Sequence, residues 1–382
     1  MTTETAPPKS TAAQIFTAEQ DALRASARRL LEDKSPSLAV RILAESTTGF
    51  DPAMWAQMAD LGWTGIAIPE EFGGAGYGFF ELSVLLEEMG RVLLPSPFFA
   101  TTMLGAGAIV NAASQEQKQR LLPEIARGEL RATLAFVEEW GSWDAGAVAL
   151  NASPTGDRYL LSGSKWYVID GASAQILVVA ARTGGDDIGL FIVRPDAAGV
   201  SCHAMHTLDM TRKQAKIDFD NVEAELLGDA GGGRDALTRT LLCAAVGLSA
   251  EMVGGAQRCL EMATDYAKAR IQFGRAIGSF QAIKHKCANM LTDVEMARSA
   301  AFYAAWAATE APDELAVATS IAKAKCSDVF SRVAAENIQI HGGIGFTWEH
   351  DAHLYLRRAK SSEIYLGDSA YHSAQLADQL EV

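Results

Sequence analysis

A short glycine-containing turn is the first segment of this sequence suited to ligand chemistry. The segment Gln339–Gly343 ends a helical pattern with two glycines, and the turn continues through Ile344–Thr347. Glycine adopts positive φ without steric cost and lets a ligand approach the backbone closely. Exposed N–H groups at such a turn favour a phosphate-bearing ligand, although an ordinary helix–turn–helix corner has the same pattern.

A histidine-rich stretch follows that turn and is a second candidate for ligand chemistry. His350, Asp351 and His353 lie close together, with His341 upstream. No two of these histidines have the i, i+4 spacing that places two metal ligands on one helix face. We therefore expect no metal site.

The bulk composition limits the classes of function. At 382 residues the chain is too long for one small core, which predicts two or three domains. Its 49% apolar and 21% charged residues are typical of a soluble globular protein. The formal net charge of −14 argues against nucleic-acid binding, which needs a basic face. A phosphate-bearing ligand would therefore need local arginines or lysines.

Cysteine spacing and the N-terminus bear on the cellular compartment. The cysteines have no CxxC spacing, as expected for reduced intracellular thiols that pack as small apolar residues; they are Cys202, Cys243, Cys259, Cys287 and Cys326. Residues 1–14 lack the apolar core of a signal peptide, so we expect a flexible tail. No apolar run reaches the roughly 20 residues of a membrane span. We expect a cytoplasmic protein without membrane association.

Helical periodicity accounts for the N-terminal third of the chain. Apolar residues recur at helical spacing over 23–31 and again over 81–94, where Pro95 ends the pattern. Ser114 is predicted to cap a further helix, with Gln117 at the capping-box position. We predict a helical domain over residues 15–128.

The apolar pattern changes to a period of two over residues 129–230. Five short runs predict strands, at 133–137, 159–161, 176–180, 190–193 and 215–219. Turn-rich pieces such as 154–157 separate them, and no helical pattern lies between them. Short strands without intervening helices predict a middle domain built as an antiparallel β-barrel or sandwich.

The rest of the chain is predicted to be helical. The glycines at 231–233 are expected to form a hinge to a last domain over residues 234–382. Long helices are predicted over 281–306 and 314–338, with Pro312 between them. With the helix before them and the final helix, they predict a four-helix bundle. The expected fold class is therefore α+β, with a helical domain, a β domain and a helical bundle in that order.

Four motifs occur in a fixed order on this α–β–α chain. They are Lys118–Pro123 followed by Gly128-Glu129, Arg270–Gly274 followed by Gln281, Gln339–Gly343, and Ile364–Ser369. In this order and at these separations the sequence resembles the acyl-CoA dehydrogenase family over residues 15–378. The resemblance implies that family's fold. It also implies flavin adenine dinucleotide (FAD) between the β domain and the bundle, with its pyrophosphate and adenine held by a neighbouring subunit.

The resemblance also assigns the FAD contacts. Arg270 matches the arginine that reaches the pyrophosphate, and its planar, permanently charged fork suits phosphate oxygens. A solvated arginine at a helix end is the alternative interpretation. The other implied contacts are Gln272, Phe273, Gln281, Gln339, Ile340, His341, Gly342, Gly343, Asp368 and Ser369.

The family's reaction identifies what this chain lacks. A carboxylate removes the α-proton of an acyl-CoA thioester while the β-hydride passes to the flavin. The commonest position of that carboxylate matches Leu366, and the alternative position, on the first helix of the bundle, matches Ala244. The flavin cradle matches 137–142 and Tyr167–Ile169, where Ile169 replaces a hydroxyl-bearing residue.

Two carboxylates are candidates for the missing base. Glu251 lies two helical turns after Ala244, on nearly the same face and at the edge of an apolar stripe. A carboxylate there is costly unless it is paired, so a buried glutamate paired with a basic side chain is the alternative. Asp368 lies two residues after Leu366, and its alternative role is that of a helix cap or turn residue.

Three hypotheses of function follow. The first is FAD-dependent α,β-dehydrogenation of an acyl-CoA thioester, with Glu251, Asp368 or a partner's carboxylate as base. The second is a catalytically silent subunit of a mixed tetramer. The third is a fold relative that binds flavin or acyl-CoA for other chemistry.

The resemblance has further implications for partners and substrate. It implies a homo- or hetero-tetramer arranged as a dimer of dimers, and an electron-transfer flavoprotein as acceptor. It also implies a role in degrading fatty acids or steroid side chains. Small residues at Ala244, Ala245 and Gly247 would leave room for a bulky or branched acyl group.

Overall fold

The computed structural model describes residues 17–229 and 231–381, so the tail predicted over 1–14 lies outside the described part of the chain. The N-terminal domain is helical, as predicted. Its helices are α1 (Ala18–Lys34), α2 (Ser37–Glu45), α3 (Pro52–Asp60), α4 (Phe79–Arg91), α5 (Gly107–Ala112) and α6 (Gln115–Ala126). A π-helical segment, Ala100–Ala106, leads directly into α5.

The ends of these helices follow local side-chain chemistry. Ser114 forms the predicted capping box of α6: its hydroxyl accepts from Gln117 N at 3.3 Å, and its own N–H donates to Gln117 Oε1 at 3.0 Å. The helix predicted to reach residue 94 ends earlier, at Arg91. Leu93 already has a positive φ of 50°, so the backbone leaves the helix before Pro95.

The middle domain is a β-barrel whose strands are mostly antiparallel. Its strands are β1 (Ala132–Ala135), β2 (Asn151–Thr155), β3 (Arg158–Ile169), β4 (Ile176–Gly184), β5 (Asp187–Val193), β6 (Val200–Ala204) and β7 (Gln214–Leu226). Strand β5 pairs with both β4 and β7, which closes the path β4-β2-β3-β7-β5. Two pairings depart from the antiparallel expectation, because β1 and one residue of β2 run parallel to β4.

Two strands carry no clear period-two signal in the sequence. Strand β2 is exposed at all but one position, and β6 has no buried residue. Without a buried face there is no apolar alternation to detect. The turn predicted at 154–157 is accordingly shorter, because residues 154 and 155 belong to β2 and only Gly156 and Asp157 form the turn.

The C-terminal domain consists of three long helices and two shorter ones. These are α7 (Gly233–Ala269), α8 (Gln281–Glu310), α9 (Leu315–His341), α10 (Ala352–Ile364) and α11 (Ser369–Gln379). A two-stranded hairpin, β8 (Ile271–Gln272) and β9 (Arg275–Ala276), joins α7 to α8. The fourth position of the predicted bundle is divided between α10 and α11, which both pack on α9. The predicted glycine hinge is shorter than expected, because Gly233 already belongs to α7.

Helix α7 is the central helix of the C-terminal domain. By length and hydropathy it is the one described helix that could cross a membrane, but 78% of its most apolar stretch is buried inside the protein. It packs against α4, α8 and α9. Its apolar composition is therefore that of a core helix.

Helices α4 and α7 cross with their backbones in contact at two glycines. A Cβ on Gly90 would lie 2.0 Å from the carbonyl oxygen of Glu251, and one on Gly254 would lie 1.8 Å from that of Glu87. Each carbonyl belongs to the facing helix. Any larger residue at these positions would separate the helices and move Glu251.

We predict that Gly254→Ala lowers the free energy of unfolding by about 2–3 kcal/mol, because the methyl group overpacks the crossing. Alanine would otherwise stabilise a helix interior by about 1 kcal/mol relative to glycine. The measurement is guanidinium unfolding followed by circular dichroism. The matched control is Gly107→Ala in α5, where the new Cβ would meet Thr240 at an ordinary 3.5 Å. Equal stability of the two variants would contradict the close crossing.

Candidate active site: a buried charge cluster and two exposed loops

A buried cluster of charges lies where the three domains meet. Glu251 Oε1 accepts hydrogen bonds from Arg212 Nη2 and Arg358 Nη1, each at 2.5 Å. Asp209 Oδ2 accepts from Arg358 Nε at 2.6 Å, and Arg358 also donates to the hydroxyl of Thr211. Glu251 lies on α7 and Arg358 on α10, while the other three residues precede β7. All five side chains are buried.

This arrangement gives Glu251 the role of a paired structural carboxylate. An isolated buried charge is costly, whereas two guanidinium groups on one carboxylate oxygen compensate it. The sequence had left this pairing open as the alternative to a catalytic base. It could not name the partners, because Arg212 and Arg358 are distant from Glu251 along the chain.

Asp170 faces the same cluster, and the sequence analysis did not single it out. It follows Ile169 at the end of β3 and lines a small cavity of ≈ 20 Å³ together with Arg212, Glu251 and Phe99. Burial raises the pKa of Asp170 to about 7, and the charge of Glu251 adds to the increase, although Arg212 and Arg358 oppose it. The carboxyl group therefore exchanges its proton near neutral pH. The cavity holds about one water molecule and is too small for an acyl chain.

The turn between α10 and α11 contains the position where the family resemblance placed a glutamate. Leu366 is buried there with a positive φ of 61°. Lys323 Nζ donates to the carbonyl of Gly367 at 2.5 Å, and His372 Nε2 donates to the carbonyl of Leu366 at 2.8 Å. The turn thus has a rigid and unusual backbone but carries no proton acceptor at Leu366.

Burial shifts the pKa values of both groups that hold this turn. It lowers the pKa of Lys323 to about 7 and that of His372 to about 4. His372 is therefore neutral at physiological pH, and its Nε2 carries the proton that it donates to the turn. Neither side chain replaces the missing carboxylate, since both are engaged in holding the backbone.

Asp368 serves as the N-cap of α11. Its Oδ1 accepts from Tyr371 N at 2.8 Å, and the side chain is exposed. Ser369 is the first residue of that helix. The structure therefore places Asp368 in the capping role that the sequence gave as the alternative.

An aromatic contact bridges the β domain and the bundle next to that turn. The ring of Trp143, in the loop after β1, lies edge-on to Tyr365 with centroids 5.0 Å apart, and Phe136 lies 6.1 Å from Trp143. Trp143 lines two cavities. One, of ≈ 410 Å³, also contacts Tyr167 and Ile364. The other, of ≈ 150 Å³, lies beside Leu366 and Ala245.

The hairpin after α7 presents Phe273 to solvent. Phe273 and Gly274 form its two-residue turn with φ values of 54° and 77°, as a type I′ turn requires. A bulky residue with positive φ is uncommon, and Phe273 is also 90% exposed. Arg270, Gln272 and Gln281 are exposed around it. A strained, exposed phenylalanine indicates a contact outside this chain.

The glycine turn after α9 lies at the same end of the bundle. The ring of His341 stacks on Tyr266, near the end of α7, with centroids 4.3 Å apart. Gly342 ends α9 with a φ of 65°, and nothing lies within 4 Å of a Cβ built on it or on Gly343. We call residues 270–281 and 339–343 the end loops.

The predicted FAD contacts on the end loops fall into an exposed group and a buried group. The exposed contacts are Arg270, Gln272, Phe273, Gln281, Gln339, Gly342 and Gly343. Ile340 and His341 are buried, and His341 Nδ1 lies 2.8 Å from the carbonyl oxygen of Asn337. These two residues position the loop, since their side chains face the protein.

The histidines singled out in the sequence contact backbone and aromatic groups. Within residues 17–229 and 231–381, no group of three or more His, Cys, Asp or Glu side chains is placed to hold a metal ion. His350 Nδ1 instead accepts from the N–H of Ala352, and the ring of His353 stacks on Trp348.

Comparison with known proteins agrees with the family resemblance along the chain. Family models for the acyl-CoA dehydrogenase N-terminal, middle and C-terminal domains match residues 17–129, 133–222 and 231–381. The acyl-CoA dehydrogenase IpdE2 of Mycobacterium tuberculosis is 34% identical over 90% of this chain and 92% of its own length. This chain belongs to the acyl-CoA dehydrogenase family.

Solved structures agree with that assignment. Butyryl-CoA dehydrogenase from Megasphaera elsdenii is 27% identical, with a TM-score of 0.90 over 96% of this chain and 99% of that chain. A chain of the ChsE4–ChsE5 complex from Mycobacterium tuberculosis is 26% identical, with a TM-score of 0.88 over 96% of this chain and 98% of that one. The expected fold, with its helical, β and helical domains, is therefore confirmed.

The residues of this acyl-CoA dehydrogenase fit the family's flavin cofactor better in the outer half of the site than in the inner half. The end loops offer an arginine, amide side chains and open glycines, which suit a dinucleotide. The cleft between the β domain and the bundle, in contrast, is crossed by Trp143 and Tyr365. Val137 and Ile169, in the cradle segments, have no side-chain hydrogen-bonding groups and are buried. The inner half therefore offers a flavin ring the ≈ 410 Å³ cavity beside Tyr167 and Ile364 but no side-chain hydrogen bonds from Val137 or Ile169.

We predict that Glu251→Gln lowers the free energy of unfolding by about 3 kcal/mol, because it leaves the buried guanidinium of Arg212 without its carboxylate and Arg358 with Asp209 alone. Turnover per folded molecule should change little. Guanidinium unfolding and steady-state assays of the assembled enzyme measure the two effects. The control is Asp265→Asn on the same helix, whose exposed pair with Lys268 should contribute about 1 kcal/mol or less. A loss of about 100-fold or more in turnover at unchanged stability would identify Glu251 as the base instead.

We predict that Asp170 makes stability depend on pH. Its raised pKa means that the folded state binds the proton more tightly than the unfolded chain, where the pKa is about 3.9. That stabilisation is present below about pH 4 and is lost as the pH rises through about 7. Relative to Asp170→Asn, wild-type stability should fall by about 2–3 kcal/mol between about pH 5 and pH 8. Parallel pH profiles of the two proteins would contradict the assignment.

Proposed function

We propose that this chain takes part in FAD-dependent α,β-dehydrogenation of an acyl-CoA thioester, as a subunit of an oligomer. The observation that carries the proposal is the pair of exposed end loops on an acyl-CoA dehydrogenase fold. Arg270 and the strained Phe273 point away from the chain's own core. The family resemblance gives these positions to a dinucleotide in a neighbouring subunit.

The chain's own residues have distinct tasks in this proposal. Bound FAD would supply the two-electron acceptor for the Cα–Cβ bond. Arg270 would bind the pyrophosphate with its planar fork, and the open backbone at Gly342 and Gly343 would allow close approach of the dinucleotide. Removal of the α-proton would fall to a carboxylate of the partner subunit, since Leu366 accepts no proton and Glu251 and Asp368 are engaged elsewhere.

Exposed apolar side chains support an oligomer. Phe273 lies on the end loops, Phe346 and Trp348 follow them in the chain, and all three are at least 46% exposed. Helix α8 carries a further set of exposed apolar residues: Leu291, Met296, Tyr303 and Trp306. Exposed aromatic residues in such number are characteristic of protein interfaces. A tetramer arranged as a dimer of dimers is the assembly that we propose.

A second candidate function is that of a catalytically silent subunit in a mixed tetramer. It is favoured by Leu366 at the base position and by Trp143 in the cleft. The ChsE4–ChsE5 complex, one of the similar structures, is built from two differently named chains. In such an assembly this chain would hold the partner's dinucleotide without performing the chemistry.

For the acyl substrate and the electron acceptor, we propose chemical classes. Gly247 does not open an acyl pocket as the sequence suggested, because a Cβ there would lie 2.8 Å from Met103 and 2.9 Å from Leu86. Ala245 lines a cavity beside Leu366. We propose a fatty acyl or steroid side-chain thioester, an electron-transfer flavoprotein as acceptor, and a cytoplasmic location.

The test is co-expression with a family member that carries a glutamate at the position of Leu366. Acyl-CoA thioesters of several chain lengths are added to the purified complex, and bleaching of the visible absorbance of the flavin is recorded. Bleaching supports the proposed function. If no thioester bleaches the flavin of the complex or of the single chain, dehydrogenation is wrong.

We predict that Arg270→Ala lowers the flavin retained by the complex by about tenfold, because a charge-assisted phosphate contact contributes about 1.5–3 kcal/mol. Phe273→Ala should act in the same direction. Flavin per complex after gel filtration is the measurement. Arg194→Ala, at an exposed arginine of the β domain, serves as the control and should leave retention unchanged. Full retention in Arg270→Ala would exclude the phosphate contact.

A further inference from the structure

We propose that a cavity between α4, α5 and α7 binds a small aliphatic monocarboxylate, whose carboxylate group contacts Arg239. The cavity has a volume of ≈ 120 Å³, and its wall is formed by the N-terminal domain together with Arg239 and Cys243 of α7. None of the residues assigned above to the flavin or to the reaction lines it. The inference therefore stands apart from the proposed function.

The interior of this cavity is mainly apolar. Its buried wall includes Leu82 of α4 and, from the π-helical segment, Met103 and Ala106. Thr64 also lines the cavity, but its hydroxyl donates to the carbonyl of Ala126 at 2.7 Å. A charged group placed inside would lose its hydration without gaining a partner, so the interior suits a hydrocarbon tail.

Cys243 adds a small neutral group to the same wall. Its side chain is 4% exposed. Burial raises the pKa of the Cys243 thiol to about 11, although the nearby charge of Arg239 opposes the increase. The thiol is therefore uncharged at physiological pH and packs as a small apolar group that does not repel an anion.

Arg239 marks the mouth of the cavity. Among the described residues of the lining it alone is exposed. Within residues 17–229 and 231–381, its guanidinium group makes no hydrogen bond or ion pair, even with Asp235 one turn earlier on α7. No acidic side chain of the described chain lines the cavity. A guanidinium group without an acidic partner can bind a carboxylate through two parallel hydrogen bonds.

Two other polar side chains at the half-buried part of the lining are engaged with the protein. Asn111 Nδ2 donates to the hydroxyl of Thr240 at 3.0 Å, and the hydroxyl of Thr102 donates to the carbonyl of Phe98 at 2.8 Å. These bonds hold the two side chains in place. Arg239 is therefore the cationic group that the described lining offers to a ligand.

The volume of the cavity limits the length of the tail. A cavity of about 150 Å³ holds one benzene molecule, so by proportion about five carbon atoms fit into this cavity. A carboxylate at the mouth with a five-carbon tail inside is hexanoate. Hexanoate is therefore the probe with which we test the site.

Helix α7 separates this cavity from the cavity beside Leu366. Thr238 and Ala245 line the cavity beside Leu366, whereas Arg239 and Cys243 line the one described here. Successive residues of a helix are rotated by about 100°, so the two pairs lie about 130° apart around the helix axis. We therefore expect hexanoate to bind without entering the cleft beside Leu366.

The first test follows methionine methyl groups in the full chain by nuclear magnetic resonance. The protein is labelled with methyl-¹³C methionine, and hexanoate is added stepwise. Met103 reports this cavity, and Met205 reports the ≈ 410 Å³ cavity beside Tyr167. Met103→Leu and Met205→Leu assign the two signals.

We expect the Met103 signal to shift and to saturate, while the Met205 signal stays in place. The expected Kd is on the order of 1 mM, as for a modest ligand of about eight non-hydrogen atoms. An unchanged Met103 signal at concentrations well above that value would overturn the inference. A shift of the Met205 signal alone would also overturn it, because hexanoate would then occupy the other cavity.

A second test varies the charge and the length of the ligand. Hexanamide has nearly the same shape without the charge and should bind about tenfold more weakly, because it loses the charge-assisted contact. Acetate lacks the tail and should also bind at least about tenfold more weakly. Octanoate exceeds the cavity and should bind no more tightly than hexanoate. Equal affinities for hexanoate and hexanamide would contradict recognition by Arg239.

A third test changes the protein. Arg239→Gln should weaken hexanoate binding about tenfold. Val110→Phe, at a half-buried position of the lining in α5, should fill the cavity and abolish the Met103 shift. Arg194→Gln, at an exposed arginine of the β domain, is the control and should bind as wild type does.

The outcomes remain decisive whatever the activity of the chain. If Val110→Phe fails to fold by circular dichroism, Arg239→Gln still tests the site, because Arg239 is exposed. Wild-type affinity in Arg239→Gln would overturn the inference. Loss of affinity in Arg239→Gln but not in Arg194→Gln would support it. None of these measurements involves flavin or turnover, so failure of the proposed dehydrogenation would leave the result unchanged.

Discussion

The pairing of Glu251 with Arg212 and Arg358 is the contact on which the arrangement of the domains depends. A buried charge costs several kcal/mol unless its partners are in place, and here the partners come from different domains. Glu251 is on the central helix of the bundle, Arg358 on α10, and Arg212 just before β7. The cluster therefore forms only when the β domain and bundle are assembled. The close crossing of α4 and α7 at Gly90 and Gly254 adds the N-terminal domain to the same point.

That constraint explains why the candidate catalytic carboxylates of this chain stabilise the fold and do not serve as the base. Glu251 is engaged by arginines, Asp368 caps α11, and Leu366 occupies the position of the usual base. The turn around Leu366 keeps its positive φ because Lys323 and His372 hold its carbonyls. The chain thus retains the backbone of a family active site, while its groups suited to a dinucleotide face outward on the end loops.

Much of the fold was predictable because its signals are local. The Ser114 capping box, the break at Pro312 and the helix end at Gly342 each depend on residues a few positions apart. The exposed strands β2 and β6 were missed, because strands without a buried face have no alternation to read. The parallel pairing of β1 with β4 was missed as well, since pairing direction is a property of the whole sheet.

The sequence by itself determined the family, the order of the domains, the candidate cofactor loops and the absence of a carboxyl group at Leu366. These follow from residue identity and from spacing along the chain. Only the tertiary structure decided that Glu251 is paired, that Asp170 joins its cluster, and that Trp143 meets Tyr365 across the cleft. Glu251 and Arg358 are 107 residues apart, and no local pattern specifies which distant charge will neutralise a buried one. The physical reason is that burial and pairing depend on which surfaces the folded domains bring together.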